Sequence, residues 1–167
     1  MTVMKTLVAL VAIVVLSACP TTREGGPPSE PAALDSVLAA WGPAWSSSDA
    51  GKLVPLYTED VYFEDVPLGA VVKNRDALRG FAAGVFAGFA DLRFEVTSRF
   101  VSADGKWGSM EWVFHGRQTK DFPGLPATNR PFLVRGASVV EFRDGKISRE
   151  SDYWDLATYL KQVGLIK

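Results

Sequence analysis

The spacing of apolar residues changes once along this chain, and that change fixes its architecture. Up to Gly88 the apolar positions recur at helical intervals. Beyond it they alternate, with Leu92, Phe94, Val96 and Phe100 set against Arg93, Glu95, Thr97 and Arg99. A period of 3.6 buries one stripe of a helix, whereas a period of two buries one face of a strand. Helices followed by a strand meander predict an α+β fold, with helices packed on one face of a sheet.

The individual elements follow from local signals. Leu34, Val37, Leu38, Trp41 and Trp45 put both tryptophans on one helix face, with a kink expected at Gly42-Pro43. Asp49 is placed to cap a second short helix ending near Tyr57, and Val61-Tyr62-Phe63 reads as a brief strand broken by Pro67. Asn74 is the expected N-cap of a third helix, with Leu78, Phe81, Ala82, Val85 and Phe86 on its buried side. Ala103-Asp104-Gly105-Lys106 turns the chain into a strand with Met110, Trp112 and Phe114 on one face. The next strand presents Phe132, Val134, Gly136, Ser138, Val140 and Phe142 together, and Asp144-Gly145 leads into the last, Lys146 to Trp154. Asp155 caps a closing helix that Gly164 ends.

The first 31 residues belong to a different regime. Lys5 precedes the aliphatic run Leu7 to Leu16, which is too short to span a bilayer. Leu16-Ser17-Ala18-Cys19 resembles the bacterial lipobox, which implies removal of residues 1–18 and lipidation of Cys19. An ordinary secretory peptide with an incidental cysteine is the alternative. Pro20, Gly25, Gly26, Pro27, Pro28 and Pro31 make residues 19–31 a flexible leash, and the folded domain is expected over 32–167. The resemblance implies a protein of the bacterial cell envelope, facing away from the cytoplasm and touching the membrane through its anchor alone. Acyl chains contribute about 0.8 kcal/mol per buried methylene.

Composition removes several functions. The chain has 18 basic and 19 acidic residues, so no basic surplus exists to grip nucleic acid. One cysteine rules out an intrachain disulfide, and one histidine rules out a multi-histidine metal site. Walker loop, dinucleotide fingerprint and nucleophile elbow are all missing from the sequence, so no cofactor is implied.

The order of elements resembles the cone-shaped nuclear transport factor two-like superfamily, with three N-terminal helices packed on a curved antiparallel sheet and a short C-terminal helix. Gly124-Leu125-Pro126-Ala127-Thr128-Asn129-Arg130 is similar to a stretch of SnoaL-like polyketide and ester cyclases. Phe142-Arg143-Asp144-Gly145-Lys146-Ile147, with Asp155 and Gln162-Val163-Gly164-Leu165, resembles the C-terminal signature of that group. Ser151-Asp152-Tyr153-Trp154-Asp155-Leu156 resembles a segment of limonene-epoxide hydrolases whose first aspartate acts as a base on water, which implies that role for Asp152. Phe63-Glu64-Asp65-Val66-Pro67-Leu68 resembles the water-holding segment of the same hydrolases, with Phe63 and Asp65 replacing a tyrosine and an asparagine. Related folds often pair through the sheet, which implies a homodimer.

Such a fold leaves an apolar pocket at one end, and its chemistry depends on the polar groups that enter it. Asp152 and Asp65 are the candidate catalytic residues. If they converge, repulsion separates their proton affinities into acid and base roles. The other reading of Asp152 is a sheet-edge aspartate held by Arg149 or solvent. Trp41, Trp45, Tyr57, Tyr62, Phe63, Trp112, Phe114, Gln118, Ser138 and Trp154 are the candidate pocket residues. Gln118 stands where SnoaL-like cyclases often carry histidine, and His115 falls on the opposite face by alternation. The sequence therefore leaves two functions open. One is a domain that binds a small hydrophobic molecule without turnover, which the replaced tyrosine and histidine favour. The alternative is an enzyme of cyclase, hydrolase or isomerase type that uses Asp152 with Asp65.

Overall fold

The computed structural model describes residues 30–122 and 124–167. Cys19, the segment 1–18 and the leash up to residue 29 lie outside the described residues.

Helix α1 (Glu30–Ser46) runs without a break through Pro43. It starts within the expected leash, with Pro31 in its first turn, where a missing N–H leaves no bond unmade. Leu34, Leu38, Trp41 and Trp45 form its buried stripe. Gly42 lets the helix lie against the sheet, since a Cβ there would sit 3.1 Å from the Phe94 carbonyl oxygen. Asp49 caps α2 (Ala50–Leu53) by accepting from Gly51 N, and one 3₁₀ turn leads into β1 (Tyr57–Asp65). The brief strand expected at 61–63 is thus nine residues long. Gly69, at φ 63°, turns the chain into β2 (Ala70–Lys73), a short edge strand without an alternating pattern strong enough to announce it. Asn74 caps α3 (Arg75–Gly88) through a 2.9 Å bond from Ala77 N.

The remaining strands are β3 (Phe89–Val101), β4 (Trp107–Gln118), β5 (Pro131–Arg143) and β6 (Lys146–Trp154), and α4 (Leu156–Val163) closes the chain. The six strands form one sheet in the order β2-β1-β6-β5-β4-β3. All neighbours are antiparallel except β1 and β6, which run parallel. This is the curved, unclosed α+β cone that the order of elements implied, with one parallel pairing in place of a wholly antiparallel sheet.

Bulges bend the sheet and reset which residues face inward. In β3 the register slips between Ala90 and Arg93 and again between Val96 and Ser98, so Thr97 has no partner of its own. A single extra residue turns every later side chain to the other face. Phe100, expected beside Phe94 on the buried face, is therefore 61% exposed on the outer one. Arg99 takes the inner side and holds Asp35 of α1 with bonds of 2.8 and 3.0 Å. In β6 the slip falls at Ser148, between the pairs Phe142–Ile147 and Glu141–Arg149. Ile147 and Glu150 are thus both buried, although three residues apart.

Candidate functional site

The site lies where the concave face of the sheet meets α1, α3 and α4. Asp65, at the end of β1, is the register partner of Asp152 on β6, and Asp152 is the partner of Ser138 on β5. Neighbouring strands lie about 4.8 Å apart, so these three side chains stand in one row across the inner face. Asp65 and Asp152 both line a cavity of about 60 Å³ whose other walls are almost entirely apolar. Trp41, Trp45, Phe63, Trp112, Phe114 and Trp154, six of the expected pocket residues, line it as well. Leu68, Phe81, Phe89 and Phe122 add half-buried side chains to the lining.

Four expected pocket residues stand elsewhere. Tyr57 is wholly buried behind the carboxylates, where its hydroxyl donates to Glu150 Oε2 at 2.7 Å. Ser138 is buried too; it accepts from Trp112 Nε1 at 2.9 Å and bonds Asp152 Oδ1 at 2.5 Å. Tyr62 faces the outer side of the sheet, with the Arg149 guanidinium 4.9 Å from its ring centre. Arg149 is therefore not a partner of Asp152. Gln118 fixes the loop that follows β4: its Nε2 donates to Leu125 O at 2.6 Å and to Lys120 O at 3.0 Å, and its Oε1 accepts the Tyr159 hydroxyl. Alternation assigns Gln118 and Ser138 a face but carries no information on depth; Tyr57, expected at a helix end, opens β1, and Tyr62 takes the face opposite Phe63. His115 is half-buried and faces Arg93 and Leu133 across the sheet, away from the cavity.

Two site residues were not anticipated. Tyr159 of α4 lines the cavity, and burial pushes its hydroxyl up to about 12. Glu150 is wholly buried two residues before Asp152 and accepts from Trp41 Nε1 at 2.9 Å. Its signal was available in the sequence, because Glu150, Asp152 and Trp154 share one face of any strand that contains them.

The electrostatics follow from burial without cations. Among the described residues, none of these three acids forms a salt bridge. Burial, and then the charge of Glu150, pushes Asp152 well above the usual carboxylate range. Burial also raises Glu150, against the hydrogen bonds that Tyr57 and Trp41 donate to it, and it raises Tyr57 well above the ordinary phenol value. Asp65 is raised by burial, offset by bonds from Trp154 Nε1 at 3.0 Å and Leu68 N at 3.1 Å. Both of those donors meet Oδ1, and among the described residues Oδ2 of Asp65 accepts no hydrogen bond.

The family model for SnoaL-like polyketide cyclases matches residues 35–163, from the second turn of α1 to the end of α4. This chain belongs to that family. Solved structures of similar fold include TsrD from Streptomyces laurentii, at 21% identity and TM-score 0.72, over 81% of this chain and 97% of the other. A candidate polyketide cyclase from Pseudomonas putida is 22% identical with TM-score 0.71, over 77% and 96%. A protein of ketosteroid isomerase-like fold from Catenulispora acidiphila, solved in complex with trimethylamine, is 24% identical with TM-score 0.67, over 77% and 92%. These proteins share the fold, and one scaffold hosts many chemistries, so the reaction has to be argued from the side chains of this chain.

Proposed function

We propose that this SnoaL-like protein is an acid–base enzyme acting on a small, largely apolar carbonyl compound. The observation that carries the reading is the placement of Asp65 and Asp152 as register partners on one wall of an aromatic cavity. Asp65 is the base: a desolvated carboxylate has the proton affinity needed to take a proton from the carbon beside a carbonyl near neutral pH. Asp152 is held neutral by burial and donates a hydrogen bond to the carbonyl oxygen, where negative charge develops. The proton passes to Asp65, the C–H electron pair becomes the C=C bond of an enolate, and the carbonyl π pair moves to the oxygen that the Asp152 hydrogen bond holds. Return of the proton from Asp65 to another carbon of a conjugated enolate gives isomerisation, and attack of the enolate carbon on a second carbonyl gives ring closure.

Cavity size narrows the guest. Benzene fits an engineered cavity of about 150 Å³, so a space of about 60 Å³ accepts the reacting end of a molecule and leaves the rest among the half-buried side chains of the wall. The test is hydrogen–deuterium exchange at the carbon beside the carbonyl, followed by NMR in D₂O over small cyclic ketones from cyclopentanone to 2-tetralone. The protein is expected to accelerate exchange, and Asp65→Asn to remove about 10²- to 10⁴-fold of that acceleration. Saturable quenching of tryptophan fluorescence by a ketone, with no exchange, would overturn catalysis in favour of a binding domain.

Export and lipid attachment complete the proposal and rest on sequence alone. Lys5, the run Leu7 to Leu16 and Leu16-Ser17-Ala18-Cys19 support cleavage before an acylated Cys19 in the bacterial cell envelope. Mass spectrometry of the membrane fraction should find that modification, and Cys19→Ala should release the domain. An unmodified mature N-terminus would contradict it.

A further inference from the structure

Behind the cavity wall lies a set of polar groups that the reaction above does not use. Their wiring can be read from donor chemistry. An indole N–H can only donate, whereas a hydroxyl has one proton to give. Trp41 Nε1 lies 3.0 Å from the Tyr57 oxygen and 2.9 Å from Glu150 Oε1. The Tyr57 hydroxyl therefore accepts from Trp41 and gives its own proton to Glu150 Oε2 at 2.7 Å. By the same argument Trp112 donates to Ser138, and Ser138 gives its proton to Asp152 Oδ1. Two chains, each headed by a tryptophan, thus end on two carboxyl groups that share one face of β6.

The count of acceptors locates the remaining proton. Both oxygens of Glu150 and one of Asp152 already receive a donor. Among the described residues Asp152 Oδ2 is the one oxygen of the pair that receives no donor, so a proton placed there displaces no hydrogen bond. Two adjacent buried carboxylates that meet no cation among the described residues cannot both ionise at ordinary cost, so the pair retains a proton. The titratable groups facing the pair are Tyr57 and Asp65, both from β1. The neighbouring α1, β4 and β5 present Trp41, Trp112 and Ser138, which do not titrate in this range. Tyr159 of α4, across the cavity, is engaged with Gln118.

We propose that Glu150 is a positioning residue: fixed as the anion by Trp41 and Tyr57, it keeps the single proton of the pair on Asp152, the carboxyl that faces the cavity. This deepens the reading of Asp152 as hydrogen-bond donor and rests on it for its role in turnover. It also defines the substrate class more closely, since a fixed donor beside a negative charge selects a neutral oxygen acceptor and repels a carboxylate or phosphate.

The experiment is a pH titration of the full chain carrying ¹³C-carboxyl-labelled aspartate and glutamate, followed by NMR without substrate. Signals are assigned by their disappearance in Asp152→Asn and Glu150→Gln. At neutral pH the Asp152 signal is expected at the protonated position and that of Glu150 at the ionised one. Glu150→Gln removes the neighbouring charge and should lower the Asp152 midpoint by about one pH unit or more. Should that variant fail to fold, Tyr57→Phe reads the same wiring: loss of the hydroxyl donor should move the Glu150 signal toward the protonated position. An ionised Asp152 beside a neutral Glu150, or an Asp152 midpoint indifferent to both variants, would overturn the proposal. Because no ketone is present, a failed exchange assay and a failed titration are separate results.

Discussion

The two faces of the same strands obey opposite electrostatic rules. On the outer face Arg149 lies 3.9 Å from Glu141, with both side chains well exposed, and water screens whatever their pairing is worth. On the inner face Glu150, Asp152 and Asp65 lie buried among aromatic rings and, among the described residues, form no ion pair. Glu141 and Glu150 are the same residue type on neighbouring strands, the first paired with Arg149 on the outer side and the second buried on the inner one. The contrast teaches that the number of charges on a strand says little about its chemistry until the face is known. Outside, charge is solubility; inside, it becomes proton affinity.

The contrast can be broken hardest through packing. The inner row is filled to contact: a Cβ added at Gly136 would lie 2.3 Å from the Trp112 ring, whereas Ala137, its neighbour on the outer face, already carries one. Trp112 cannot yield easily, because it packs on Trp41 with centroids 6.0 Å apart and bonds Ser138. Gly136→Val should cost about 3 kcal/mol or more in urea unfolding, while Ala137→Ser should stay within about 0.5 kcal/mol. Equal costs would mean that the inner row is not close-packed.

A smaller effect separates the faces by pH. Asp152 has a folded proton affinity raised above its unfolded one, so the folded state binds more protons between the two values. The stability it contributes is present below the unfolded value near 4 and is lost as pH rises toward the folded one. For one full proton the slope is about 1.4 kcal/mol per pH unit. Asp152→Asn should flatten that decline. The exposed Asp60, Asp104 and Asp155 have lowered affinities and act in the opposite direction, losing their contribution as pH falls. Thermal unfolding of parent and variant from pH 5 to pH 9 checks the sign; parallel curves would mean that Asp152 is solvated.

How much of this was legible depended on whether one signal or several had to agree. The long strands, the caps at Asp49, Asn74 and Asp155 and the left-handed Gly164 each rest on local chemistry, and each stands where the sequence puts it. Phe100 and Tyr57 show the limits. Phe100 obeys alternation up to Thr97, and the bulge there reflects the sheet's curvature, a property of six strands together. Tyr57 was recognised as an inward aromatic, yet its place behind the cavity follows from β1 lying parallel to β6, a pairing with no local signature. Gln118 and Ser138 are polar members of the expected pocket set; that they serve the loop and Asp152 depends on partners 7 and 14 residues away. The carboxyl pair was half visible: Asp152 sits in a recognisable segment, whereas Glu150 shares its face by plain alternation and carries no motif of its own.

The smallest expected effect sharpens the outer half of the comparison. Arg149 makes one long ion pair and rests over the Tyr62 ring at 4.9 Å, both at the surface. An exposed cation–π contact contributes about 0.5–1 kcal/mol, and an exposed ion pair less. Arg149→Ala should therefore lower stability by under about 1 kcal/mol in low salt, with the difference shrinking in 1 M NaCl, and should leave ketone exchange and the Asp152 titration unchanged. The sheet is a few ångströms thick, so a charge removed from one side could in principle be felt on the other. A shift in the Asp152 midpoint in this variant would show that the field of Arg149 crosses it, and the two faces would then have to be treated as one electrostatic system.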